Sequence, residues 1–459
     1  MSFWDAVAEL PTTNALFFAL ALLIAFGFEF INGFHDTANA VTTVIYTRTL
    51  RATPAVLYSG FMNFLGVLLG GTTVAFSIVN LLPVDLLIQS NEQSARLGLV
   101  MVLALLFAAI LWNLGTWYLG LPVSSSHTLI GSILGVGLAN SLLTGVDGVN
   151  WAKAQEVGLG LLLSPLIGFV ASALLLLAMK ATVREPRLYI PPQGDDRPPR
   201  WVRAVLLTTC GGVSFAHGSN DGQKGMGLIL LVLIGFLSGH YALDIYDASK
   251  VAPARAAAGA AKAQLEAAGK LTPQLAEDAD GITKGLEGKA SFADLPADER
   301  KNLRERFFRL SQATKDKVFR DDGSAEWKTT KQSLTKPIEF VPLWVIISVA
   351  LALGIGTTIG YKRIVVTVAE KIGKTHLTYA QGAAAETVAA CTILAADFAH
   401  LPVSTTQVLS SGIGGTMVAN GSGLQANTAR RILLAWAFTL PGTILLSGTL
   451  YLTGQWLVR

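Results

Sequence analysis

Ten long apolar stretches follow one another along the chain, over about 12–47, 54–83, 95–119, 122–143, 158–180, 203–238, 339–361, 376–400, 401–421 and 428–456. About 20 apolar residues cross a bilayer core as a helix, so the pattern predicts an all-α polytopic membrane protein. Two stretches, 12–47 and 203–238, are longer than one crossing needs, and each carries a polar run in its interior. The first run is Asn32-Gly33-Phe34-His35-Asp36 and the second His217-Gly218-Ser219-Asn220-Asp221. A charged side chain at the centre of a membrane helix costs roughly 2.5–3.5 kcal/mol on insertion scales. A broken helix at each motif is expected, because unwound backbone is tolerated where it lines a polar cavity. Residues 240–337 differ in kind: they are rich in Ala, Lys, Arg, Asp and Glu, with helix-forming runs such as Ala256 to Lys270 and Ala297 to Phe319. This hydrophilic insertion is read as partly helical. A small domain, a partner surface and a loop all fit its composition.

A second pair of segments repeats as well. Leu121-Pro122-Val123-Ser124-Ser125-Ser126 is answered by Leu401-Pro402-Val403-Ser404-Thr405-Thr406. Asp36 and Pro122 are 86 residues apart, Asp221 and Pro402 181. Without the 98 residues of 240–337 the second interval shrinks to 83. The chain therefore divides into a first membrane repeat over 1–185, a cytoplasmic linker over 186–200, the start of a second repeat over 201–239, the insertion over 240–337, and the remainder of the second repeat over 338–459.

Composition supports the membrane reading: 51% of residues are hydrophobic and 14% charged, against about 25% charged in soluble domains. The net charge of +4 says little, because the basic residues crowd into the insertion and only Arg48, Arg51 and Arg96 lie in the first 150 residues. Nucleic acid is not an expected partner; the lipid bilayer is, and a homodimer is compatible with the reading. Cys210 and Cys391 lack metal-ligand spacing and read as packing residues. Residues 12–31 read as a retained membrane helix, not a cleaved signal. Basic residues mark four short loops, at Arg48 and Arg51, at Lys180 to Arg203, at Lys362 to Lys374, and at Arg430 and Arg431. The positive-inside rule puts all four in the cytoplasm. With five crossings per half, the halves have inverted topology, as in many secondary transporters, and the insertion lies outside the cytoplasm.

Glu29, Asn32, Asp36, Asn39 and Thr43 fall at 3–4 spacing and form one polar stripe on an apolar helix. Within lipid such a stripe faces a cavity or other helices. A lone buried carboxylate there needs a cation, a proton or a basic partner. Shifted by 185 residues, Ser214, His217, Asp221 and Lys224 align with Glu29, Asn32, Asp36 and Asn39. Lys224 could neutralise a carboxylate, meet an anion, or simply form a salt bridge to Asp221 or Glu29. The Pro-Val-Ser segments suit anions, since proline favours the first helical turn and Ser and Thr its cap. The orphan N–H groups and positive dipole end there bind phosphate or carboxylate. Two such half-helices, paired at the membrane midplane by inverted symmetry, could grip a tetrahedral oxyanion from both sides. His35 and His217 adjoin the acidic motifs and are candidate titrating groups. His127, matched by Gln407, reads as a hydrogen-bonding residue.

Gly33 to Ala40 and Gly218 to Asp221 resemble the duplicated Gly-Ala-Asn-Asp-type signature of the inorganic phosphate transporter (PiT) family, in its bacterial low-affinity permease branch. Pro122 to Thr128 and Pro402 to Thr406 resemble that family's paired hydroxyl segments. The resemblance implies secondary active symport of inorganic phosphate with a cation by alternating access in the bacterial inner membrane. In this branch it implies coupling to H+ and acceptance of metal–phosphate complexes, while other members use Na+. It implies substrate contacts from Ser124, Ser125, Ser126, Thr128, Ser404, Thr405, Thr406, Gln407, Asn39 and Asn220. Cation coupling falls to Asp36 and Asp221, with Glu29, Asn32, His35 and His217 beside them. The chain departs from the pattern at His35, where Asn is usual, and at Gln407, where His is common. No resident cofactor or firmly assigned metal site is expected. A divalent-metal transporter and a sodium-coupled symporter are the competing readings. An enzyme is not expected, since His-Glu-x-x-His, Gly-x-Ser-x-Gly and a Walker loop do not occur.

Overall fold

A computed structural model describes residues 3–82, 92–192, 198–314 and 325–458, with backbone alone at 36–39, 92–97, 325, 369 and 458. Among the described residues the chain is mainly helical. It runs α1 (Phe3–Ala8), α2 (Thr12–Tyr46), α3 (Ala52–Leu69), α4 (Thr73–Val79), α5 (Glu92–Tyr118), α6 (Ser125–Thr144), α7 (Trp151–Thr182), α8 (Arg200–Phe236) and α9 (Ser238–Tyr241). It continues with α10 (Val251–Ala267), α11 (Pro273–Gly285), α12 (Ala297–Ala313), α13 (Ala325–Thr335), α14 (Leu343–Thr357), α15 (Lys362–Val366), α16 (Tyr379–Phe398), α17 (Thr405–Asn420) and α18 (Ala426–Val458). Six helices among the described residues are long and apolar enough to cross a membrane: Thr12–Tyr46, Ala52–Leu69, Gly98–Tyr118, Ser125–Thr144, Trp151–Thr182 and Ala426–Leu457. The described chain forms two compact units, one of Met1–Ala19, Val84–Leu99 and Leu231–Val341, the other of Leu20–Pro83, Val100–Leu230 and Pro342–Arg459.

The expected break at each polar motif does not occur. Both motifs lie inside uninterrupted α-helices, α2 with 35 residues and α8 with 37. The motif glycines serve close approach instead. A Cβ on Gly33 would overlap the carbonyl of Leu353 in α14, and one on Gly218 the carbonyl of Asn63 in α3. The exchange is reciprocal along both crossings. Gly66 of α3 lies against the carbonyl of Phe215, and Gly356 of α14 against that of Phe30; Phe215 and Phe30 are themselves 185 residues apart. The later helices trade partners in the same way: Gly131 of α6 abuts Thr443 of α18, and Gly168 of α7 abuts Ser411 of α17. Helices α3 and α14 run antiparallel, since Gly60 meets Gly354 and Thr358, whereas Phe64 meets Gly354. Asn63 Nδ2 donates to Thr357 Oγ1 across the pair at 3.0 Å.

The basic loops converge. Ile45, Tyr46, Arg48 and Ala52 line one cavity of about 550 Å³ together with Pro192, Tyr361, Lys362 and His376. The loop before α18 joins them: Lys374 N donates to Gly423 O at 3.1 Å, Gln425 N to Ile372 O at 2.9 Å, and Asn420 Nδ2 to Tyr189 O at 3.3 Å. The loop after α7 therefore meets the C-terminal end of α17, just before α18, and shares the cavity with the loop after α2.

The insertion is a helical domain with its own core, not an open loop. Phe292, Phe307, Leu310, Ile282 and Leu334 are buried together between α10, α11, α12 and α13. Thr272 caps α11 by accepting from Leu275 N, with Pro273 in the first turn, the arrangement that satisfies a free N–H where proline has none to lose. Asp278, fully buried, accepts two bonds from the Arg309 guanidinium at 2.8 Å each. Phe307→Ala is expected to cost this domain about 3–5 kcal/mol through the cavity it leaves. Hydrogen exchange over 251–313 checks this, and protection equal to wild type would refute it.

Candidate functional site

The site grows out of the two helix starts. Ser124 caps α6, its hydroxyl accepting from His127 N at 3.1 Å. Ser404 caps α17 in the same way, accepting from Gln407 N at 3.2 Å. The repeated Pro-Val-Ser segments thus build two equivalent capped N-termini. Ser126 Oγ in the first turn of α6 donates to the carbonyl of Val403, just before α17, at 3.1 Å. The two helix starts are therefore side by side. Ser125, Thr405, Thr406 and Gln407 are all buried with them. Thr128 is turned back on its own helix, donating to Ser124 O at 3.1 Å.

The second acidic motif meets this point. Lys224, 3% exposed, places Nζ 2.5 Å from Asp221 Oδ1, 2.6 Å from Ser126 Oγ and 2.7 Å from Val403 O. One ammonium thus ties α8, α6 and the start of α17 together. The Asp221 carboxylate has no solvent exposure; its other oxygen takes His217 Nε2 at 3.2 Å and Asn32 Nδ2 at 3.4 Å. His217 Nδ1 pairs with Asn63 Oδ1 at 2.8 Å. Removal of a partner from so buried an ion pair leaves an uncompensated charge, which is strongly destabilising. The salt bridge from Lys224 to Asp221 thus exists, but the same ammonium also serves the hydroxyl segment.

Glu29 lies beside this cluster. Gly225, the residue after Lys224, leaves the room its carboxyl occupies. Glu29 is fully buried, and among the described residues neither of its oxygens has a hydrogen-bond partner. Asn32 Oδ1, Asn220 Oδ1 and His127 Nδ1 are likewise buried without one. Native proteins leave few such groups. The side chains of Asp36 and Asn39 lie outside the described residues; their backbone is helical. His35 does not join the acidic cluster: its Nε2 faces α5, 3.0 Å from Asn113 O and 3.4 Å from Thr116 Oγ1.

Two acids escaped the sequence reading. Asp397, near the end of α16, accepts from Ser219 Oγ and from Asn220 Nδ2, both at 2.5 Å. Asn220 is therefore committed on one side to a carboxylate. Glu386, in the middle of α16 and fully buried, accepts from Thr43 and Thr209, the latter at 2.5 Å. An acid inside an apolar stretch, here two within 376–400, was the available signal for both, the same signal that marks Glu29.

Chemically, two helix N-termini, several hydroxyls and one ammonium make an environment for an anion, and the adjoining carboxylates demand positive charge beside it. Known proteins agree. The chain is 42% identical to the low-affinity inorganic phosphate transporter PitA of Escherichia coli K12, over 97% of this chain and 98% of that one. It is 30% identical to a probable low-affinity inorganic phosphate transporter of Bacillus subtilis, over 94% and 95%. A solved structure titled the sodium-dependent phosphate transporter superposes with a TM-score of 0.56 over 95% of this chain and 98% of that one, at 20% identity, which shows a shared fold. The sequence profile of the phosphate transporter family matches residues 32–447, and the chain belongs to that family of membrane transporters.

Proposed function

We propose that the protein carries inorganic phosphate across the bacterial inner membrane together with H+, by alternating access between two inverted repeats. The observation that carries the reading is the Lys224 knot, which gathers both hydroxyl segments and the second acidic motif at one buried point. The names of the relatives supply the solute. Phosphate would lie at the capped starts of α6 and α17, held by backbone N–H groups and the hydroxyls of Ser124 to Ser126 and Ser404 to Thr406. Thr128, Gln407, Asn39 and Asn220 complete this substrate set. Asp36 and Asp221 balance the charge, with Asn32 and His217 as neighbours.

Inversion of the repeats draws support from three observations: the reciprocal glycine contacts, the antiparallel α3 and α14, and the meeting of the loop after α7 with the end of α17, just before its counterpart α18. The proton finds support in Glu29, a fully buried carboxyl beside Asp221 at which a proton or small cation would offset the charge. Uptake of phosphate into proteoliposomes, driven separately by a pH gradient and by a sodium gradient, tests the coupling. The pH gradient alone is expected to drive uptake, and excess sulfate to leave it largely intact. Uptake that requires the sodium gradient would replace H+ by Na+ in this account. Glu29→Gln is expected to abolish accumulation driven by the pH gradient while phosphate exchange persists; unchanged accumulation would remove Glu29 from the coupling.

A further inference from the structure

The two halves differ where a cation would sit. The repeat pairs Asp221 with Asp36, Ser126 with Thr406, Val403 with Val123, and Lys224 with Asn39. Three of these four positions keep the same kind of oxygen donor in both halves: a carboxylate, a hydroxyl and a backbone carbonyl. The fourth does not. The second half supplies a positive nitrogen where the first supplies a neutral amide. In the structure that nitrogen is bonded to all three oxygens at once, at 2.5, 2.6 and 2.7 Å, and so uses each of its three donors. A carboxylate, a hydroxyl and a carbonyl converging on one small positive centre also form the donor set that suits a hard alkali cation.

We propose that the Lys224 ammonium is a tethered cation, permanently filling the cation position beside Asp221, so that no mobile alkali cation is needed there. The inference rests on the transport reading above and adds to it the residue that sets how many free cations the cycle uses. Arginine could not serve, because its planar fork directs its donors differently from an ammonium. Lysine fits as a compact point charge on a flexible stem. The substitution has a functional consequence. A covalent cation cannot be released on either side of the membrane, so it lowers the number of ions moved per phosphate by one.

Lys224→Asn makes the second half resemble the first and leaves an oxygen-lined space. Purified in detergent, K224N is expected to bind one more radiolabelled Na+ per chain than the wild type. In proteoliposomes its phosphate uptake should fall about tenfold or more without Na+, as the unpaired Asp221 implies, and recover when Na+ or Li+ is added. Lys224→Ala provides the second arm: methylammonium, which restores an ammonium without the tether, should raise its melting temperature and uptake and leave the wild type unaffected. Equal Na+ binding by K224N and wild type, together with no effect of methylammonium on K224A, would overturn the tethered cation. Wild-type protein that moves no phosphate would overturn the transport reading instead, and the binding comparison would still decide the role of Lys224.

Discussion

Asp221→Asn is expected to abolish phosphate uptake while the protein still reaches the membrane. The carboxylate has no exposure to solvent and faces Lys224 at 2.5 Å and His217 at 3.2 Å. Asparagine keeps the shape and removes the charge, so the buried ammonium loses its counter-ion. Breaking one side of such a pair costs about 3–5 kcal/mol. Rearrangement of Lys224 would also pull Ser126 and Val403 away from each other, and these hold the two helix starts in register. Uptake should fall to background, because the charge balance at the site is lost with the carboxylate. The double variant Asp221→Asn, Lys224→Met removes both charges and should regain thermal stability without regaining uptake. Wild-type uptake by the single variant would remove Asp221 from the mechanism. Asp36→Asn is expected to abolish uptake equally, since Asp36 aligns with Asp221 when the sequence is shifted by 185 residues.

Gly66→Ala and Gly356→Ala are expected to destabilise the protein to a similar extent. Each added methyl meets a backbone carbonyl, Phe215 in one case and Phe30 in the other, too closely for either helix to stay where it is. Overpacking in a close-packed interior costs about 1–3 kcal/mol and more where backbone must move. Both crossings join a motif helix to a helix of the opposite half, so loss of either should also lower uptake. Thermal unfolding in detergent, read by the loss of monodisperse protein, compares the pair. A large effect at one glycine and none at the other would contradict the reciprocal packing.

The expectation of a repeat rests on the spacing of Asp36 to Pro122 and of Asp221 to Pro402, which agrees to within three residues once residues 240–337 are set aside. The helical caps were legible for a local reason: Ser124 and Ser404 each follow a Pro-Val pair at the place where an N–H needs an acceptor. The helix-forming run from Ala297 also anticipated α12. The continuity of α2 and α8 was not legible. A glycine beside an acid in an apolar stretch is consistent with unwound backbone and equally with a close crossing, and only the position of α3 and α14 decides between them. His35 shows the same limit. Its neighbour in sequence is Asp36, yet its ring turns to Asn113 of α5, a partner 78 residues away. Lys224 was seen as a partner for a carboxylate or an anion, but its bond to the Val403 carbonyl depends on a contact across 179 residues that no local pattern encodes.

The most direct measurement is double-label uptake into proteoliposomes of the purified wild type, following phosphate and a divalent metal together under an inward proton gradient. Phosphate is expected to accumulate above its outside concentration, a protonophore to abolish the accumulation, and metal to enter only when phosphate is present. Metal entry without phosphate, or no accumulation of phosphate under any gradient, would contradict this expectation.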